Sequence, residues 1–195
     1  MPASFTLQSL RQEAGIGDRL TPMASLGDLN LVPHALTVDE IRWFVREYGF
    51  SARQAQRAGL DGVEIHANHD DMIEWFLSPK TNLRSDAYGG SFENRMRFLR
   101  EIIAEIREQV GADFVIGVRM NMVESEPGGY DEAGGLAIAQ ALQATGSVSY
   151  LHFVMGSPWG NPSYIQPHYY QPAQWAGLSQ ALRRHLTLPF VHTGR

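Results

Sequence analysis

Four short apolar runs, at residues 62–66, 114–118, 150–154 and 188–191, recur along the chain with a helical stretch between each and the next. No other feature limits the fold as much. A run such as Phe114-Val-Ile-Gly-Val118 is too short for a buried helix and has no polar alternation, so it reads as a strand covered on both faces. The stretches between these runs place their apolar residues at helical spacing instead. Such alternation gives a parallel sheet covered by helices, an α/β fold.

The helix boundaries are legible too. Thr37-Val-Asp-Glu40 has the form of a capping box, and Ile41, Phe44, Val45, Tyr48, Ala52 and Ala55 continue on one face as far as Gly59. Ser91 opens a second helix, with Phe92, Met96, Leu99, Ile103 and Ile106 on one side, and Gly111 ends it. Residues 131–145 and 173–185 supply two more. Residues 1–36, broken up by Gly15, Gly17, Pro22, Gly27 and Pro33, read as an irregular N-terminal arm. Residues 37–195 read as one body of βα units.

Composition removes several classes of function. With 16 basic against 21 acidic residues and a net charge of −5, no basic stripe is available for phosphates, which argues against nucleic acid or an anionic membrane as partner. The absence of cysteine excludes a disulfide framework, an iron–sulfur cluster and a thiol nucleophile. No apolar run is long enough to cross a bilayer, and Met1-Pro-Ala-Ser-Phe5 lacks the charged-then-apolar order of a signal peptide. A cytoplasmic protein with a small-molecule substrate is expected.

No Gly-x-Gly-x-x-Gly follows any strand, which speaks against a dinucleotide-binding doubly wound sheet. Polar and aromatic residues gather instead just past the strand C-termini, at 66–71, 119–124, 156–170 and Gly194-Arg195. A (β/α)8 barrel keeps its active site there, and four strands are half of such a barrel. The densest cluster is Glu64-Ile-His66-Ala-Asn-His69-Asp70-Asp71. Its two imidazoles can hold a carbonyl or phenolate oxygen, or join the aspartates around a divalent metal. They can also be solvent-facing loop residues.

The run Asp61-Gly-Val-Glu-Ile-His66-Ala-Asn-His69 is followed by Trp75-Phe-Leu-Ser-Pro79-Lys-Thr-Asn82-Leu-Arg84-Ser-Asp86-Ala-Tyr88-Gly89-Gly90-Ser91-Phe-Glu93-Asn94-Arg95-Met-Arg97-Phe98. Together with Ile116-Gly-Val-Arg119 and Val191-His-Thr-Gly194-Arg195, these motifs closely resemble the old yellow enzyme family of NADH:flavin oxidoreductases. The resemblance covers most of the chain from about Pro33 onward. It implies part of a TIM (β/α)8 barrel, about four parallel strands corresponding to strands four to seven, and FMN as cofactor with NADH or NADPH as reductant. The positions matching His66 and His69 bind the substrate's oxygen in that family. The one matching Arg119 lies against the flavin, and the pair matching Gly194 and Arg195 lies at its phosphate end. The metal reading recedes accordingly. The activity implied is hydride transfer to a small unsaturated carbonyl compound. Oxidative demethylation of an amine and a non-catalytic barrel fragment are the alternatives, and the open edges of a half-barrel offer self-association.

One position departs from the family pattern. Asp71 stands where a proton-donating tyrosine is usual, and an ordinary carboxyl group is ionised at neutral pH and has no proton to give. It is read either as a base favouring oxidation or as the N-cap of a helix from 72 to 77. Trp159 and Tyr164, with Tyr169, Tyr170 and Trp175, form an aromatic loop that can stack on a substrate or pack the rim. Tyr88-Gly89-Gly90-Ser91 reads as a structural turn. His152 and His192 read as satisfied core histidines facing the barrel interior.

Overall fold

A computed structural model describes residues 35–69, 71–157 and 162–194. The order is α1 (Val38–Arg57), β1 (Gly62–Ala67), α2 (Met72–Leu77), α3 (Phe92–Val110), β2 (Val115–Asn121), α4 (Glu132–Ala144), β3 (Tyr150–Val154), α5 (Ala176–Arg183) and β4 (Phe190–His192). The strands pair in sequence order, all parallel, as one four-stranded α/β sheet. The irregular arm expected over residues 1–36 lies almost wholly outside the described residues.

Local chemistry fixes each helix. The α1 capping box is complete: the Thr37 hydroxyl accepts from the Glu40 N–H, and the Glu40 carboxylate accepts from the Thr37 N–H at 2.7 Å. Past the Ala58 C-cap, Gly59 takes φ +86°, the left-handed turn that lets the chain leave the helix. Ser91 caps α3 through the Asn94 N–H. Helix α3 buries Met96, Phe98, Leu99, Ile102, Ile103 and Ile106 in the core cluster that it shares with α1, α2 and the sheet. Each such side chain contributes about 1.5–3 kcal/mol relative to exposure. Arg107 ties the far end together, donating to the carbonyls of Gly111, Phe114 and Ser147 at 2.6, 2.8 and 2.6 Å.

Strand alternation then sorts the sheet into two faces. Ile65, Ala67, Ile116, Val118, Met120, Leu151 and Phe153 point to the helices and are buried in one core cluster. Glu64, His66, Arg119, Tyr150 and His152 share the opposite face, on which Val115 and Val191 are 38% and 46% exposed. This second face, polar toward its C-terminal end, is the one a barrel would enclose.

The turn at Tyr88-Gly89-Gly90-Ser91 is structural, as its sequence suggests. Asn82 donates to the carbonyls of Phe76 and Tyr88, both at 2.7 Å, and Gly90 adopts φ +80°. Deeper in, Glu74 is buried and its Oε1 accepts from Asn121 Nδ2 at 2.6 Å and from the Tyr130 hydroxyl at 2.8 Å. That junction fixes the segments following β1 and β2, and so the two loops that carry the site.

Candidate active site

The parallel register puts His66, Arg119 and His152 side by side across β1, β2 and β3. One layer toward the strand N-termini lie Glu64, Gly117 and Tyr150. Past the end of β1, His69 takes φ 58°, unusual for a residue with a side chain. Its ring then meets His66 edge-on with centroids 5.6 Å apart, and the Tyr164 ring lies at 5.2 Å on another side. Burial first, then the neighbouring His66, Arg119 and His152, brings the His69 pKa down from 6.5 to about 4. At physiological pH it is a neutral imidazole with one N–H to donate and one lone pair.

Asp71 occupies the N-cap position of α2, but its side chain makes no capping hydrogen bond. Its Oδ2 lies 2.8 Å from His66 Nε2 instead. The helix from 72 to 77 and the N-cap position of Asp71 are as the sequence suggests, but the carboxylate takes an imidazole N–H in place of a backbone one. A carboxylate accepts only, so it holds the His66 proton on Nε2. Nδ1 alone is left to face a ligand.

Arg119 has a buried Nε with no hydrogen-bond partner among the described residues. A buried unpaired guanidinium nitrogen calls for an explanation, and an acceptor group beside β2 would supply one. Gly194, just past β4, adopts φ +110°, which strains any other residue. Arg195 and Trp159 lie outside the described residues, as does Asp70. Of the aromatic loop, Tyr164 reaches His69, while the Tyr170 hydroxyl accepts from the Ser163 N–H and Trp175 Nε1 donates to Gln166. The last two hold the loop in place.

Two histidines part company. His152 is hydrogen-bonded on the open face, through Nδ1 to Glu64 at 2.9 Å and through Nε2 to Thr193 at 2.9 Å. His192 registers with Phe153 on the helix side, and both of its ring nitrogens are buried without partners among the described residues. It is neither satisfied nor turned to the barrel interior, because the odd–even phase of β4 is opposite to the one assumed. Burial, with His152 nearby, holds its pKa below the usual value. Sequence reasoning gave Glu64 no role and missed Tyr150 and Thr193; the signal was the period of two that puts Glu64 beside His66 and Tyr150 beside His152.

The sequence model of the NADH:flavin oxidoreductase / NADH oxidase family matches residues 9–195. The chain belongs to that family. Within it, the chain is 35% identical over 184 residues to an NADH oxidase of Thermoanaerobacter brockii, covering 92% of this chain and 28% of the relative. It is 34% identical over 168 residues to a multifunctional alkene reductase/demethylase of Caballeronia cordobensis, covering 84% of this chain and 24% of the relative. A solved 2-naphthoyl-CoA reductase in complex with 2-naphthoyl-CoA superposes with a TM-score of 0.78 at 29% identity, over 83% of this chain and 24% of that one. The chain thus spans about a quarter of the length of several of the curated relatives it matches. The old yellow enzyme resemblance holds, and the four parallel strands are part of the barrel of that family.

Proposed function

We propose that the chain carries the substrate-polarising residues and part of the cofactor cradle of an FMN-dependent oxidoreductase, which moves hydride between NADH or NADPH and a small unsaturated carbonyl compound. The observation that supports this most is the buried, unpartnered Nε of Arg119, in register with His66 and near the neutral His69. FMN fits that setting: Arg119 offers a fixed positive charge to an electron-rich edge, and Gly194, followed by Arg195, suits its phosphate end. When bound, FMN supplies the hydride chemistry, and the protein supplies orientation and electrostatics. His69 donates its one N–H to the substrate oxygen, and His66, oriented by its 2.8 Å contact with the Asp71 carboxylate, lies beside it. Tyr164, its ring tilted against His69, lines the substrate side; Trp159, expected to do the same, lies outside the described residues.

The test begins with FMN titrated into the full chain, followed by a phenolate-type ligand. His66→Ala and His69→Ala should each weaken that ligand while FMN stays bound, by roughly 1.5–3 kcal/mol for a charge-assisted hydrogen bond. Unchanged ligand titrations in both variants would overturn the assignment.

A second reading, oxidation of an amine with demethylation, is favoured by the His66–Asp71 pair, which holds a base where a proton donor is needed for reduction. Asp71→Tyr discriminates between the two. A phenol of pKa near 10 keeps its proton at neutral pH, so reoxidation of reduced flavin by a cyclic enone should speed up. An equal or slower rate would mean that another group gives the proton. Among the described residues no helix is long and apolar enough to cross a membrane. A cytoplasmic setting, a small-molecule partner rather than nucleic acid, and self-association through sheet edges complete the proposal.

A further inference from the structure

Beside the row of site residues a chain of hydrogen bonds runs from β1 over β2 to β3 and on to the residue just past β4. Glu64 Oε2 on β1 accepts from the Tyr150 hydroxyl at 2.8 Å and from His152 Nδ1 at 2.9 Å, both on β3. These bonds span β2, which is bare at that level. A Cβ on Gly117 would lie 2.2 Å from the Tyr150 ring, so only glycine lets the ring cross. On its other side His152 Nε2 lies 2.9 Å from Thr193 Oγ1, just past β4. Burial, together with the Glu64 hydrogen bond and charge, pushes the Tyr150 pKa up to about 12, which keeps the phenol a donor.

The chemistry of these groups sets their direction. A carboxylate only accepts, so Tyr150 and His152 both donate to Glu64. With Nδ1 given to Glu64, Nε2 is left to share the second hydrogen bond with the Thr193 hydroxyl. Thr193 is thereby held to β3 twice, by its side chain to His152 and by its N–H to the Phe153 carbonyl at 3.1 Å. The next residue is Gly194 at φ +110°. The aim of its N–H depends on how Thr193 is seated.

We propose that Glu64, acting through His152, is a positioning residue that seats Thr193 and so aims the Gly194 backbone at the cofactor. Tyr150 completes the carboxylate's hydrogen bonding, and Gly117 leaves the path open. The cofactor part rests on the reading of Gly194 as a cofactor contact; the relay itself does not.

The experiment uses the full chain labelled with 15N at histidine and glycine, with FMN as the probe. In the unaltered protein His152 should show a protonated Nδ1. Glu64→Gln, made on the far edge of the sheet, should shift the Gly194 amide resonance. Thr193→Val should shift it too, while Thr193→Ser, which keeps the hydroxyl, should restore it. Thr193 is exposed, so these last two variants fold even if Glu64→Gln does not. FMN should bind roughly tenfold more weakly to Glu64→Gln and to Thr193→Val, and the double variant should be no worse than either single one, as for residues acting along one path. A Gly194 amide indifferent to Glu64→Gln, a serine that fails to rescue, or losses that add would overturn the relay. If FMN does not bind the unaltered chain while Gly194 still responds to Glu64→Gln, the relay stands and the cofactor reading falls.

Discussion

His69 combines a left-handed backbone with a ring that resists protonation, and both follow from its place just past β1. The backbone turn folds the imidazole back over His66, and the burial that results favours the neutral form. Stability then depends on pH with a definite sign. With a pKa of about 4 in the folded chain and 6.5 in the unfolded one, only the unfolded chain takes up this proton between those values. Acidification through that window therefore lowers stability, and below pH 4 the contribution stops changing. Solvent reaches the half-buried ring, so the loss is smaller than the shift alone would suggest. His69→Asn is the apt variant, because asparagine tolerates positive φ and does not titrate. In urea unfolding its stability should fall less between pH 7 and pH 4.5 than that of the unaltered chain; equal falls would count against a neutral His69.

At the scale of elements, glycine separates two kinds of helix. In α4, a Cβ on Gly135 would lie 1.9 Å from the Met122 carbonyl oxygen, so the helix can sit against the end of β2 only because that position is bare. In α5, a Cβ on Gly177 would meet nothing within 4 Å. Alanine gains up to about 0.5–1 kcal/mol over glycine within a helix, and a clash with backbone costs about 1–3 kcal/mol. Gly177→Ala should raise the thermal midpoint and Gly135→Ala should lower it; the same sign for both would mean that propensity or packing alone decides. A single sequence shows that both are helical glycines and not which one touches a neighbour. The same limit governs how much was legible elsewhere. Capping boxes, apolar periodicity and strand runs are local and gave the elements in order, with ends displaced by a few residues, as at β2, which runs on to Asn121. The motif around His66 and His69 placed the site at the strand C-termini. The His66–Asp71 contact depends on how the loop after β1 turns back, and the role of Gly117 beneath Tyr150 and the face of His192 depend on register between strands; no local pattern encodes either.

Among the described residues the sheet presents one face covered by helices and one open face. Helices cover the first, whereas the second carries Glu64, His66 and the exposed Val115 and Val191. Among the described residues β1 and β4 each pair on one side only. A barrel closes by pairing every strand on both sides, and strand edges left open are templates for pairing with another chain. Val191 on β4, nearly half exposed, adds to the tendency. Self-association of the chain is therefore expected in solution, rising with concentration, and sedimentation equilibrium would measure it. Val191→Lys places a charge on the open face of the edge strand and should shift the population toward monomer without unfolding the sheet, since this position is already nearly half exposed. A single monomeric mass for the unaltered chain across the concentration range would show that its edges are covered from within.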